Sequence, residues 1–297
     1  MSQPLDDIAA VLDGTGHYRV LRRLEPWIGS SQVSTEPMFT GLIVDVETTG
    51  LDLTGDEVIE LGMLKFEFGA SGRIYRVLDT FSQLQEPSRP IPPEITRLTG
   101  ITEADVAGQR IDDSAVQAFA ADATLVIAHN ARFDRPMCER RWPIFAEKNW
   151  ACSCDQIPWR AEGHEGTKLG YLLMDHGYFH SGHRALDDCH AVLHLLASPL
   201  RTSRRLALSC LLKAARQPTL RLWAQGSPIA ANGLLKARRY RWSGTRRCWY
   251  VDLDEDQIEI ERRLLAEQVY RHVVPELQTE RFTATERFSV RTNPEAV

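Results

Sequence analysis

Apolar positions recur along the chain with two periods, and the switching between them predicts its elements. Leu5, Ile8, Ala9 and Leu12 fall at helical spacing, and the stretch from Tyr18 to Leu24 is expected to continue that helix after Gly14–Gly16. Ser30, Ser31, Ser34, Thr35 and Pro37 then mark a linker. The run Phe39-Thr-Gly-Leu-Ile-Val-Asp45-Val-Glu47 is short, apolar and β-branched and stops at Thr48-Thr49-Gly50, which predicts a buried strand. Val58–Phe68 and Ile74–Phe81 predict two more strands, joined around Gly69–Gly72 as an antiparallel meander. Pro90, Pro92 and Pro93 introduce a loop and a short helix ending at Gly100, and Ser114 is expected to cap a helix through Ala121. Thr124–Ala128 is another buried strand. Ala131–Arg141 is helical, with Pro136 expected in its first turn, and Trp150–Cys154 predicts a fifth strand. Helices near Leu169–His176 and Leu186–Leu196 follow. Strands first, then strand and helix in alternation, give a mixed α/β sheet flanked by helices.

After Pro199 the pattern changes, and a boundary is expected there. A helix over Arg204–Ala215 leads to a strand at Leu220–Ala224, a short helix, and two aromatic stretches, Tyr240–Trp242 and Arg246–Val251. The Ser243-Gly244-Thr245 turn between them predicts a hairpin. Asp254 is expected to cap an acidic helix reaching Tyr270, with an edge strand around Phe282–Val290. The chain therefore divides into a helical extension (1–36), an α/β domain (37–199) and a C-terminal region (200–297) containing a small α+β unit at about 218–290.

Composition narrows the class. With 297 residues, 43% hydrophobic and 25% charged, the chain can bury a substantial core and is not a disordered polymer. No apolar run approaches the ~18 residues of a membrane span. Asp6, Asp7 and Asp13 interrupt any basic-then-apolar leader, and the six cysteines form neither a disulfide framework nor a zinc ribbon. These features predict a protein of a reducing, cytoplasmic compartment. The formal charge of −5 conceals a division: residues 201–250 carry twelve Lys or Arg and no Asp or Glu, leaving 23 bases against 40 acids elsewhere. Such a segment fits a polyanion partner, or a basic surface docked on the acidic remainder.

The acids carry the chemistry. Asp45 and Glu47 are two apart on a strand, so both point to one face. Side by side they repel, and a divalent cation would compensate, unless the strand end emerges into water. Asp134 falls in the first turn of the helix that follows Val126-Ile-Ala-His129-Asn130; it could serve a site or simply favour the helix dipole. In His183-Arg-Ala-Leu-Asp187-Asp188-Cys-His190, a helical wheel puts Asp187 on the polar face and Asp188 on the edge of the apolar face, beside Val192 and Leu195. An inward carboxylate needs a partner, and an ion shared with Asp45 and Glu47 would be one. His183 would sit in the approach to that helix.

Taken in order, Asp45-x-Glu47-x-Thr-Gly, His129-Asn-x-x-Phe-Asp134 and His183-x-Ala-x-x-Asp188 resemble the DEDDh 3′–5′ exonucleases, the family of the epsilon proofreading subunit of bacterial DNA polymerase III. Leu98-Thr-Gly-Ile-Thr102 resembles a segment common in that family, and the likeness runs from about Phe39 to Leu196. The resemblance implies a ribonuclease-H-like five-stranded sheet and two Mg²⁺ or Mn²⁺ ions. By it, Asp45 would bridge both ions, Glu47 and Asp188 would complete the first site, Asp134 would hold the second, and His183 would take the proton of the attacking water. Thr48, Thr49, Gly50 and Leu51 would flank the terminal nucleotide. Phe133 would lie near the same pocket or anchor its helix, and His129 and Asn130 would organise the turn.

The implied activity is release of nucleoside 5′-monophosphates from 3′ ends, of single-stranded DNA in preference to RNA, in a replication or repair setting. Arg238, Arg239, Arg241, Trp242, Arg246 and Arg247 could grip a strand by stacking and phosphate contacts, or build a small core with solvated arginines between. An exoribonuclease, or a nucleic-acid-binding tether that retains the fold, are the competing assignments.

Overall fold

The computed structural model describes residues 3–27, 29, 35–271 and 275–292, so most of the expected linker lies outside the described residues. Helix α1 (Gln3–Gly14) is present, but the expected continuation from Tyr18 is not helical. Gly16, at φ 72°, turns the chain, and Arg22–Arg23 (β1) is held instead as a short strand through the Arg22 and Leu24 N–H groups, which donate to the Gly177 and Phe179 carbonyls.

Strands β2 (Met38–Thr48), β3 (Val58–Gly69) and β4 (Ile74–Leu84) form the predicted antiparallel meander. Helix α2 (Pro93–Thr99) starts on Pro93 and stops at Gly100, whose φ of 72° is open to glycine. A one-turn helix α3 (Glu103–Val106), unanticipated, is fixed by a capping box between Thr102 and Asp105. Helix α4 (Asp113–Ala120) is capped by Asp112 rather than Ser114: the Asp112 carboxylate accepts the N–H groups of Ser114 and Ala115. After β5 (Leu125–Ala128) comes α5 (Ala131–Arg141), in which Pro136 is the sixth residue, one turn deeper than expected. Then follow α6 (Ile144–Glu147), β6 (Trp150–Cys152), α7 (Leu169–Asp175), β7 (Tyr178–Phe179, paired with β1) and α8 (Ala185–Ala197).

The five-stranded sheet has the order β4-β3-β2-β5-β6, antiparallel through the meander and parallel across β2, β5 and β6. This is the mixed ribonuclease-H-like sheet that the motifs implied. Two apolar layers cover it. One packs Ile43, Leu64 and Ile127 under α7 and α8; the other packs Leu42, Val44 and Val126 under α4 and α5. Helix α9 (Ala207–Arg216), which begins three residues later than predicted because Arg204 turns at φ 60°, inserts Leu208 and Leu211 into the first of these layers.

Strand β8 (Thr219–Ala224), helix α10 (Asn232–Ala237), the β9 (Arg241–Ser243) and β10 (Cys248–Asp254) hairpin, helix α11 (Ile258–Leu264) and β11 (Thr279–Phe282) complete the chain. They build a four-stranded sheet ordered β11-β8-β10-β9. The edge strand falls at 279–282, earlier than the predicted Phe282–Val290. Beyond it the chain turns back to the first sheet, where the Trp150 N–H donates to the Ala284 carbonyl at 2.8 Å. Among the described residues, no helix is long and apolar enough to cross a membrane.

Candidate active site

β2 lies at the centre of the first sheet, and Asp45 and Glu47 leave it on one face just before the Thr-Thr-Gly turn. Their neighbour across β3 decides what can approach. Asp45 pairs with Gly62, where a Cβ would stand 2.4 Å from the Ala185 carbonyl carbon and 2.5 Å from the Leu186 nitrogen. Because Gly62 has no side chain, the amino end of α8 lies directly on the sheet, and Asp188, one turn along, reaches the acids of β2. Carboxylate oxygens of Asp45, Glu47 and Asp188 lie within 4.8 Å of one another.

Asp134 approaches from the opposite layer. It is 3% exposed and its Oδ1 accepts the Val46 N–H at 3.4 Å, between the two acids of β2. Burial and the neighbouring carboxylates push all three of Asp45, Glu47 and Asp134 toward protonation. Asp45 is raised well above the usual range, first by burial and then by Asp134, Asp188 and Glu47. Glu47 is raised to about 8 by burial, Asp188 and Glu60, against a smaller opposing pull from Arg184. Burial lifts Asp134 to about 7, although the N–H groups it accepts pull the other way. Among the described residues no lysine or arginine pairs with any of the four acids. Repelling, inward-facing carboxylates of this kind offer hard oxygen ligands and want a divalent cation.

Three residues that sequence reasoning passed over hold this arrangement. Glu60, opposite Glu47 across the strands and 1% exposed, accepts the Ala185 N–H at 3.0 Å and is paired by Arg184 Nη2 at 2.9 Å. This Glu60–Arg184 clamp pins the start of α8. The third is His180, whose Nε2 meets Asp188 Oδ1 at 2.5 Å. A carboxylate in the meander with an arginine just ahead of Asp188, the last signature acid, was the available signal for the clamp; nothing in the spacing marked His180.

The remaining expected residues are placed as follows. His183 sits at φ 64° and donates its backbone N–H to Asp188 Oδ2 at 3.0 Å, while the residue is exposed and its ring makes no hydrogen bond or ion pair with the acids among the described residues. Asp187 is exposed. Thr48 and Thr49 are buried; Thr49 Oγ1 donates to Asp56 Oδ1 at 2.8 Å, and a Cβ on Gly50 would stand 2.4 Å from that same carboxylate. Leu51 projects from the turn 83% exposed. Phe133 packs partly into the apolar layer below α5. The His129 ring is held between Ser153 Oγ and the Thr167 carbonyl, and Asn130 is the residue at which α5 starts.

In and around the C-terminal sheet, Arg238 at the end of α10 pairs with Glu261 of α11, Arg241 of β9 with Asp252 of β10, and Arg246 of the hairpin turn with Glu280 of β11. Trp242 is 50% exposed, with its ring edge-on to Trp249 on the face away from Arg241 and Tyr250. Arg239 and Arg247 make no ion pair among the described residues.

Comparison with known proteins places this geometry. Over 187 residues the chain is 27% identical to the DNA polymerase III subunit epsilon of Treponema pallidum, covering 60% of this chain and 83% of that one. Over 108 residues it is 36% identical to the PolC-type DNA polymerase III of Caldanaerobacter subterraneus, covering 36% of this chain and 7% of that one. The chain spans 7%, 11% and 28% of the first three curated relatives it matches. Among solved structures, the zinc-bound complex of E. coli exonuclease I with single-stranded DNA aligns over 84% of this chain and 64% of its own, at TM-score 0.51 and 14% identity. That likeness of fold extends past the first sheet. The sequence profile of the RNase T exonucleases matches residues 42–196, which begin at the core of β2 and end in α8. With the two acids of β2, the Asp134 helix and the Asp188 helix inside that match, the chain belongs to the RNase T exonuclease family, the DEDDh-type nucleases that its motifs resemble.

Proposed function

We propose that the protein is a cytoplasmic, metal-dependent 3′–5′ exonuclease that hydrolyses the terminal phosphodiester of single-stranded DNA and releases nucleoside 5′-monophosphates. The observation that carries this is the meeting of Asp45, Glu47 and Asp188 within 4.8 Å, on the strand whose backbone Asp134 also grips. DNA is favoured over RNA, and a replication or repair partner over none, because both relatives described above are DNA polymerase III chains. All six cysteines are unpaired, in keeping with a reducing compartment.

Asp45, central among the acids, would bridge two Mg²⁺ or Mn²⁺ ions, with Glu47 and Asp188 completing one site and Asp134 the other. Such ions, when bound, supply an activated water and charge for the departing 3′ oxygen. The chain's own groups supply the rest. His183, on an exposed loop tied to Asp188 by its backbone, takes the proton of the attacking water, a general-base role that imidazole side chains commonly fill. Leu51 wedges against the last base while Thr48, Thr49 and Gly50 let the backbone approach, with Phe133 behind them. Residues 37–199 thus act as the exonuclease unit, and 200–297 as an extension that grips the strand through the arginines around the β9–β10 hairpin.

End-labelled single-stranded DNA, duplex DNA and RNA incubated with Mg²⁺ test this together. Single-stranded DNA is shortened fastest, and Asp45→Asn or Asp188→Asn lowers the rate on the order of 10³-fold. An intact substrate, or cleavage unchanged in both variants, overturns the assignment.

A further inference from the structure

Between α5 and the face of the C-terminal sheet that carries Arg221, Trp223, Tyr250 and Asp252 lies a cleft of about 700 Å³. Six arginines line it, Arg132, Arg221, Arg238, Arg239, Arg241 and Arg287, against three carboxylates, Asp155, Asp252 and Asp254. Asp252 is shared by three guanidinium groups: Arg241 at 2.6 Å, Arg221 at 2.7 Å and Arg132 at 3.4 Å. Arg238 is engaged by Glu261. Arg239 stands exposed at φ 66° and pairs with none of these acids.

Deepest is Arg287, 3% exposed. It gives its Nη groups to the carbonyls of Ala214, Ala215 and Gln217, and its buried Nε has no hydrogen-bond partner among the described residues. A guanidinium cannot shed its proton, so the surplus charge of the cleft must be met by an anion or by water. Arg221 and Arg241 are moreover stacked 4.8 Å from the Tyr250 ring, which fixes their planes. Arg221 commits Nε and Nη2 to Asp252 and Nη1 to the Thr292 carbonyl, so the guanidiniums open to phosphate oxygens are the part-exposed Arg241, which gives Nη2 to Asp252, and the unpaired Arg239.

We infer that this cleft is a groove for the phosphodiester backbone of one nucleic-acid strand, upstream of the 3′ end held at the acids. The inference rests on the proposed nuclease function for that 3′ end. A strand is chosen over a free mononucleotide on geometry. Arg132 faces the cleft and Asp134 faces β2; two residues apart, they point about 200° away from each other around a helix ~10 Å across. A single nucleotide cannot touch both sides, whereas a strand passing the amino end of α5, where Asn130 lines the cleft, can.

The test is binding of fluorescent oligothymidylates to the full chain in EDTA, where no turnover intervenes. Affinity rises between lengths of about 4 and about 20 nucleotides. Arg239→Glu weakens the longer strand about tenfold at ~0.1 M salt and makes the salt dependence shallower by about one unit. Arg263→Glu makes the same charge change on α11, whose Ile258 packs on the opposite face of the sheet, and weakens it less than about threefold. Equal losses in the two variants, or no loss in either, overturn the groove. So does displacement of the long strand by an equal concentration of thymidine 5′-monophosphate, which would mark a mononucleotide pocket. A chain that binds strands through Arg239 yet cuts nothing would sink the nuclease assignment and leave the groove; cleavage with an unaltered Arg239→Glu affinity would do the reverse.

Discussion

Glu47 is the acid whose environment has the clearest consequence in solution. With its carboxyl raised to about 8, the folded chain keeps a proton that the unfolded chain releases above its ordinary value of 4.5. Proton binding is then greater in the folded state between those limits, so without a cation stability falls as pH rises through that window and levels off above it. Glu47→Gln copies the protonated acid and flattens the slope. In EDTA at pH ~8 it raises Tm by ~2–6 °C over wild type, and it abolishes the gain in Tm that Mn²⁺ gives the wild type. Parallel melting curves for the two proteins from pH ~5 to ~8 would refute this. Sequence alone made these acids legible because strand and helix periods fix which way a side chain points: Asp45 and Glu47 share a face, and Asp188 rather than Asp187 turns inward, as the wheel required. His180 was not legible, since loop residues obey no period, and neither was the orientation of the His183 ring.

Strands and helices of the first sheet were readable for the same reason, with boundaries mostly within a few residues. What escaped were features set by long-range packing. Phe282–Val290 alternates like a strand, yet Phe288 earns its burial by packing on the layer under α5 at φ 67°, and Phe282 by stacking 4.7 Å from Arg221. Gly62 is a more instructive omission. It sits within the apolar run of β3, where any small residue would suit the pattern, and only the closeness of α8 explains why it must be glycine. Gly62→Ala places a methyl against α8 backbone that cannot rotate aside. The expected cost is ~1–3 kcal/mol of stability, with divalent-ion affinity reduced at least about tenfold as Asp188 moves off β2. Thermal melting and a cation titration check both; a variant matching wild type in each would show that α8 yields freely.

The charge division of the chain resolves only in three dimensions. Of the basic run, Arg221, Arg238, Arg241 and Arg246 find acids of residues 252–280, as the docked-surface expectation has it, while Arg239 lines the cleft without an ion pair among the described residues. The C-terminal segment closes the molecule through Arg135, which is fully buried next to Asp134 on α5. Its Nε donates to Glu139 at 2.6 Å, and its Nη groups donate to the Arg287 and Thr285 carbonyls, each at 2.7 Å. Segment 283–292 therefore straps the helix that positions Asp134. Arg135→Ala leaves the buried Glu139 with the Ser289 hydroxyl at 2.6 Å and the longer 3.5 Å contact from Arg291 but no close cation, and it takes from the Arg287 and Thr285 carbonyls their 2.7 Å donors. Removing one partner of a buried pair costs about 3–5 kcal/mol, and the strap loosens with it. Limited proteolysis should cut the variant within residues 283–292 well before wild type, and its affinity for divalent ions should fall because α5 is no longer held. A variant that melts normally and resists the protease would mean that β11 and α9 anchor the segment without Arg135.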